Sequence, residues 1–519
     1  MSDFIQKNKP LIFLLIIIAV AAFFRLWQLD SLPPSLWPDE AINANTALEI
    51  SDSGKFQVFY PENHGREGLF FLLISFAFSI FGISIWSFKI VPALAGILTV
   101  LGQYLLALEV FGKKTIALLS AFFLAISFWH INFSRIGFRA ILAPLVLVFS
   151  FYFFFRGLRT KKIWDFIFSG LIFGIGFHTY ISFRLAVILL AFTLIFWLFV
   201  TFKEKWGSRF LLSAGLLLLA VFIVALPIGI YFLENPEHFV SRALGVSVFD
   251  EANPIKEFVK SFGVHLLMFN FAGDFNWRHN LSGFPQLSPL VGIFFLVGMF
   301  WAICQIISLL KNGQPNKLTK IGSFLFVFVW LIALLLPSAL TTEGIPHALR
   351  VIGAIPPTYL FVGLGAYLVY QWTRNKWQAR GANISVFRSA SFVLLILMTS
   401  FSFVLYFVVW ANSPELEDAF TKRFDEVGKE LNALPVTTQK YVIKNEGDLP
   451  TEVPIFIQRT KGRNEAIYIQ PWETEIIDFS PGDFVFIMNE QVYFLDSVRG
   501  RFPQGILHQK EKIFIYEIK

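Results

Sequence analysis

Residues 11–40 read LIFLLIIIAVAAFFRLWQLDSLPPSLWPDE, and the two ends of this stretch suit different solvents. Leu11–Phe24 is an unbroken apolar run. With short flanks it approaches the ~20 residues that an α-helix needs to cross hydrocarbon. In hydrocarbon the backbone must satisfy its own polar groups, which leaves helices and closed barrels. The run lacks the two-residue alternation of a barrel strand. After Arg25 the chain becomes polar and proline-rich and reaches the acid pair Asp39-Glu40. No small-residue cleavage site follows the apolar run, so it reads as an uncleaved first span rather than a signal peptide.

The same pattern recurs along the chain. Apolar runs cover Ile116–Phe128, Ile141–Phe155, Leu185–Val200, Leu211–Phe232, Leu290–Ile303, Ile321–Leu336, Pro357–Tyr370 and Phe392–Trp410. Of 519 residues, 55% are hydrophobic, 64 are Phe and only 15% are charged, where a soluble protein carries about a quarter. Mean hydropathy is +0.63. The expected fold class is an α-helical polytopic membrane protein of about 11–13 spans.

The net charge of +7 does not point to nucleic acid, because the basic residues sit in short loops beside the spans. They cluster at Lys7–Lys9, Lys113–Lys114, Arg156–Lys162, Lys203–Arg209, Lys311–Lys320 and Arg374–Arg388. The positive-inside rule places these in the cytoplasm. Loops 28–66, about 130–139, about 178–184, 233–288 and 341–350 then face outside, as does the chain from about 412. The chain must cross an odd number of times between loop 28–66 and Lys113, yet 67–110 holds two apolar segments split at Phe81-Gly82-Ile83-Ser84. Either one segment lies in the interface or re-enters, or Lys113-Lys114 departs from the rule.

The expected domains are a membrane domain over 1–411 and a small soluble α/β domain over 412–519. Ser413-Pro414-Glu415 reads as a helix start. Tyr441–Lys444, Pro454–Gln458, Ala466–Gln470, Asp483–Met488 and Lys512–Ile518 read as strands. The single cysteine, Cys304, excludes an internal disulfide and a cysteine-based metal site.

Six polar groups on the outer side are candidates for chemistry. Asp39 and Glu40 follow Trp37-Pro38 at a helix start, where a half-desolvated carboxylate suits a general base; two solvated capping acids are the plainer reading. Asn63-His64-Gly65-Arg66-Glu67 precedes the next apolar segment. A guanidinium there matches phosphate oxygens, or simply pairs at the interface. Arg135, Arg139 and Arg184 stand near outer span ends, where the orientation rule disfavours cations, so a phosphate, an acid or a lipid headgroup is expected beside them. His178 and Tyr180 accompany Arg184. Asp274, Arg278, His279 and Asn280 lie in a polar, aromatic stretch suited to sugar contacts, or form an ordinary polar turn. His347 and Arg350 lie in the last outer loop. All eight histidines fall in or near outer segments, but no HxxxH or HExxH spacing occurs. No metal ion or other cofactor is therefore expected, with a divalent ion as the alternative.

The chain resembles the GT-C glycosyltransferases. The closest likeness is to the prokaryotic family-39-like group, which includes the protein O-mannosyltransferases and the aminoarabinose transferases. The resemblance rests on Trp37-Pro38-Asp39-Glu40, Phe81-Gly82, Val110-Phe111-Gly112-Lys113-Lys114, Phe133-Ser134-Arg135, His178-Thr179-Tyr180 with Arg184, and Pro346-His347-Ala348-Leu349-Arg350. It covers about 20–370. It implies an inverting transfer of sugar from a polyprenyl-phosphate donor to a protein, lipid or envelope-glycan acceptor. It further implies a multi-pass protein of the prokaryotic cell membrane, with its active site and tail domain outside. By this resemblance Asp39 is the base, Glu40 shapes the site or binds acceptor, and Arg66, Arg135, Arg139, Arg184 and Arg350 grip donor phosphate. His64, Glu67, His178, Tyr180, Asp274, Arg278, His279, Asn280 and His347 would then line the substrates. Many relatives have a second acid where this chain has Arg139, which favours phosphate over a divalent metal. A flippase for lipid-linked sugars and a non-catalytic envelope-assembly protein are the rival readings.

Overall fold

A computed structural model describes residues 2–239, 247–311, 317–444, 449–462, 466–487, 492–510 and 513–519. The first helix, α1 (Ser2–Leu26), is followed by α2 (Pro38–Ser53), a two-stranded ribbon of β1 (Phe59–Tyr60) and β2 (Arg66–Glu67), and α3 (Leu69–Phe81). Helices α4 (Ile85–Phe111), α5 (Lys114–Ala125), α6 (Phe128–Phe133), α7 (Leu142–Thr160), α8 (Ile163–Gly176), α9 (Ala186–Lys203) and α10 (Gly207–Glu234) come next. They lead to α11 (Pro254–Leu267), α12 (Pro289–Lys311), α13 (Lys317–Ala339), α14 (Ile355–Ala379) and α15 (Ile384–Phe403), the last of which continues as a π-helical stretch to Trp410.

Among the described residues nine helical stretches are long and apolar enough to cross a membrane, and α3, α5 and α8 are shorter apolar helices. The crossing between 67 and 114 is single. Helix α3 has 13 residues, about 20 Å, and unlike the similarly short α5 and α8 it does not connect the two ends of the bundle. Both its flanks touch the same end of the molecule. Before it, Arg66 bonds Asn43 and Thr46 of α2. At its far end Phe78 stacks on Phe456, and Phe88 at the start of α4 packs on the same ring. Helix α3 therefore lies along the surface, with Leu72, Leu73, Phe76, Ile80 and Phe81 exposed. This is the interfacial alternative raised by the sequence. Helix α5 is extended by α6 after a break that Ser127 caps, through its Oγ and the His130 N–H. Counting α5 and α8 with the nine long stretches gives eleven crossings among the described residues.

The two ends of the bundle separate as loop charge predicts. At one end the basic loops gather: Arg159 pairs with Glu109, Lys161 lies over Trp206, Lys113 donates to the Tyr367 hydroxyl, and Thr319 bonds Glu204. At the other end loops 28–66, 130–139, 178–184, 247–288 and 341–350 contact one another and the tail domain. Residues 240–246 and 312–316 lie outside the described residues. Between helices, small residues allow close backbone approach. A Cβ on Gly365 of α14 would meet the Phe294 carbonyl of α12 at 1.8 Å, and one on Gly298 would meet the Phe361 carbonyl at 2.1 Å.

The tail carries α16 (Glu415–Ala419), α17 (Lys422–Ala433), β3 (Lys440–Ile443), α18 (Glu452–Arg459), β4 (Ala466–Ile469), β5 (Phe484–Ile487), α19 (Val492–Arg501), β6 (Ile506–Lys510) and β7 (Ile513–Glu517). The sheet order is β4-β3-β5-β7-β6. The first three strands are parallel, and β7 runs antiparallel to β5 and β6. Four of the five expected strands are present, although Met488 and Lys512 at their edges lie outside the described residues. The fifth, Pro454–Gln458, is corrected: it is the helix α18, whose buried Val453, Phe456 and Ile457 follow a helical period. A helix does start at Ser413-Pro414-Glu415, with α16 beginning at Glu415, but the Ser413 hydroxyl bonds back to the Val409 carbonyl instead of capping it.

Candidate active site

Trp37, Pro38, Asp39 and Glu40 build the start of α2. Pro38 is its first residue, and the Glu40 carboxylate reaches back to the Trp37 N–H at 3.0 Å, a capping-box contact. Its other oxygen, Oε1, accepts the Gly137 N–H at 2.7 Å. Glu40 is fully buried. Burial pushes its carboxyl above the usual carboxylate range, opposed by the charge of Lys89 and by the two backbone N–H groups. Asp39 is only half-buried. Its Oδ2 accepts the Trp37 indole N–H at 2.9 Å, and its Oδ1 accepts from the Asn63 amide. Both donors fix the orientation of the carboxylate. The Trp37 ring in turn carries the Arg278 guanidinium at 3.8 Å. Burial lowers the Arg278 pKa, and the charges of Asp39, Glu40 and Asp274 work against that.

In the β1–β2 ribbon, Arg66 and Glu67 point to opposite faces, as neighbours in a strand do. Arg66 turns toward α2 and donates to Asn43 and Thr46, with Phe71 under its guanidinium at 5.0 Å. It is 3% exposed, and burial lowers its pKa to about 10. That environment fastens the ribbon to α2 and leaves it little exposed to a donor. Glu67 turns the other way and pairs with Arg139 at 2.7 Å, both side chains being buried. Arg139 also donates to the Gly65 carbonyl and lies over Tyr180 at 5.5 Å. Arg184 feels the charge of Glu67, donates to the Phe239 carbonyl at 2.6 Å, and sits against Phe239 and Phe232. Arg139, Glu67, Tyr180 and Arg184 thus form one group at the end of the bundle opposite the basic loops.

Other expected residues fall elsewhere. Arg135 is fully buried, and its guanidinium donates to the carbonyls of Phe24, Gln28 and Leu32 at 2.9–3.0 Å. It holds the end of α1, so the expectation that it grips phosphate is corrected. His64 is exposed at a left-handed turn, φ 63°. His178 turns inward and bonds the Val224 carbonyl at 2.9 Å. Arg350 is tied to Thr341 and Glu343 within its own loop. Asp274, His279, Asn280 and His347 form a second group. Asp274 Oδ2 contacts His279 Nδ1 at 2.9 Å and accepts the Ala348 N–H at 2.7 Å. Asn280 braces the Asp274 carbonyl at 3.2 Å. The rings of His279 and His347 lie 4.8 Å apart. Arg278 links this group to the first through Trp37. No motif marks Trp37 and Asn63 as the groups that hold Asp39, since Asn63 is 24 residues away. Among the described residues, Asp274, His279 and His347 form a donor group close enough to share an ion, and Asp39 is outside it.

Three comparisons bear on this arrangement. Residues 68–228 match the model of the family described as dolichyl-phosphate-mannose-protein mannosyltransferase. An uncharacterised protein of Aquifex aeolicus (strain VF5) is 26% identical over 160 residues. That match spans 30% of this chain and only 31% of the relative's length. ArnT from Cupriavidus metallidurans, solved with undecaprenyl phosphate, superposes with a TM-score of 0.56 at 13% identity, over 97% of both chains. The archaeal oligosaccharyltransferase AglB from Archaeoglobus fulgidus, solved with an inhibitory peptide and a dolichol-phosphate, superposes with a TM-score of 0.53 at 16% identity. That superposition covers 99% of this chain and 75% of AglB. At such identities the structural likeness speaks for the fold alone: the chain shares the fold of ArnT and AglB over nearly its whole length.

Proposed function

We propose that this protein transfers a sugar from a polyprenyl-phosphate donor to an acceptor at the extracytoplasmic face of a prokaryotic cell membrane, with inversion and with Asp39 as the general base. The observation that carries the reading is the division of labour between the two acids. Glu40 is consumed by backbone N–H groups in the interior. Asp39 is half-buried, oriented by an indole and an amide, and retains lone pairs for an acceptor proton. A positioned base of this kind is worth roughly 10²–10⁴ in rate.

The donor phosphate is placed against Arg139 and Arg184, whose charges would stabilise a leaving group that is already a phosphate and needs little protonation. Tyr180 packs against Arg139, Glu67 holds Arg139 until a donor phosphate competes for it, and the acceptor enters beside Arg278 and the loop at 274–280. Transfer itself is proposed to use no metal, since Asp39 stands apart from the clustered donors. The outward orientation is supported by the gathering of the basic loops at the end opposite Asp39. A flippase calls for ionisable groups along a mid-span path. The buried Arg25 and His130 are instead bonded to each other at 2.7 Å, and Arg25 also bonds the carbonyls of Ala21 and Ala125.

The test is transfer from a panel of radiolabelled polyprenyl-phosphate sugars in membranes carrying the protein. Label moving to an acceptor only when Asp39 is intact supports the reading. Donor that is flipped but never transferred overturns it.

A further inference from the structure

We propose that Asp274, His279 and His347 bind a zinc-class ion that clamps loop 247–288 to loop 341–350. Their donor atoms lie within 4.8 Å of one another, and Asp274 and His279 are each only 3% exposed. Two imidazoles and one carboxylate are a donor set for zinc and similar borderline ions, whereas magnesium and calcium prefer oxygen throughout. The 2.9 Å between Asp274 Oδ2 and His279 Nδ1 suits a hydrogen bond. It equally suits two ligand atoms at right angles, each about 2.0–2.1 Å from zinc. Ligand atoms of a tetrahedral zinc lie about 3.4 Å apart, so the widest separation, 4.8 Å, has to close by roughly 1.4 Å, within reach of side-chain rotation.

The surroundings hold the donors in place as an outer shell does. Asp274 Oδ1 accepts the Asn276 N–H at 2.8 Å, and Oδ2 accepts the Ala348 N–H from the other loop. The His279 ring packs on Phe133 at 5.5 Å. The His347 N–H donates to His265 Nε2, which also bonds the Ser338 hydroxyl of α13 at 2.7 Å. The ligands come from two loops and stand 68 residues apart at their closest across the loops, so an ion joins segments that the chain does not join. The clamp lies next to Arg278, which covers the Trp37 ring that holds Asp39. The ion is therefore a structural brace for the site and not a participant in transfer.

The experiment uses the full chain in detergent, stripped with a chelator and titrated with zinc. Bound metal is counted by mass spectrometry, and the ligand atoms are read by X-ray absorption. One zinc per chain with nitrogen and oxygen ligands is expected, and His279→Ala and His347→Ala are each expected to weaken binding at least about tenfold. The milder His347→Gln guards against misfolding, checked by an unchanged thermal transition of the stripped protein. Asp39→Asn is expected to keep full zinc stoichiometry, so the metal result stands whether or not Asp39 is the base. Failure of the wild type to hold zinc at micromolar concentration, or full zinc retention in the folded histidine variants, overturns the proposal.

Discussion

The Gly137 N–H donates to Oε1 of Glu40 at 2.7 Å, so the loop at 130–139 hangs from the residue beside the proposed base. A glycine is needed there because a Cβ would meet the Phe88 ring at 2.1 Å. The contact makes Glu40 a strut. Glu40→Gln keeps the size but sets an NH₂ against one of two backbone donors. A buried polar mismatch costs about 1–3 kcal/mol. The expected outcome is a lower melting temperature in detergent and weaker transfer, both present in one variant. A variant with unchanged stability would remove the strut role.

Asp39→Asn separates the two acids. Its amide oxygen still accepts from the Trp37 indole, and the residue is half-buried, so folding and insertion should be unchanged. Transfer should fall by roughly 10²–10⁴ while donor binding persists. Wild-type rates in this variant would sink the base assignment.

The arginines divide in the same way. Arg135→Ala strands the carbonyls of Phe24, Gln28 and Leu32 in the interior, and the expected result is poor folding yield and a lower melting temperature. Glu67→Gln keeps the size of the side chain and releases Arg139 from its competing carboxylate. Polyprenyl-phosphate binding should then tighten in Glu67→Gln and weaken in Arg184→Gln. Equal binding in both variants would show that this group is not the phosphate grip.

These arginines also show what could be read from the sequence. The apolar runs and loop charges carried the membrane fold because hydrocarbon admits so few backbone solutions. The loop charges also put Asp39 at the end of the bundle opposite the basic loops. They did not reveal that α3 lies flat, since a 13-residue apolar helix looks alike on the surface and in the core until its neighbours are placed. Nor did they separate strand from helix at Pro454–Gln458, where a short apolar run fits both periods. An outward arginine reads identically whether it meets a carbonyl, as Arg135 does, a carboxylate, as Arg139 does, or a phosphate. The group of Asp274, His279 and His347 has no local spacing to betray it, because one ligand arrives from another loop.

Glu452 offers a test of how the tail domain docks on α2. Its Oε2 accepts from the Asn45 amide at 2.7 Å, and the same amide donates to the Glu452 carbonyl at 3.0 Å. Burial raises the Glu452 pKa and Glu49 adds to the rise, while Asn45, Arg66 and Arg459 oppose it. A carboxyl whose pKa is higher in the docked state holds its proton more tightly there. Its contribution is fully present below the unfolded value of about 4.3 and is lost as pH rises through the raised value. Hydrogen exchange across α2 and α18 should therefore quicken from about pH 4 toward neutrality, after correction for the intrinsic rate. Glu452→Gln keeps an acceptor for Asn45 and cannot ionise. It should hold the docked state at neutral pH as firmly as the wild type does in acid, and the slope should vanish. A slope that survives in Glu452→Gln would assign the pH dependence to other groups and leave the Asn45 contact without a role in it.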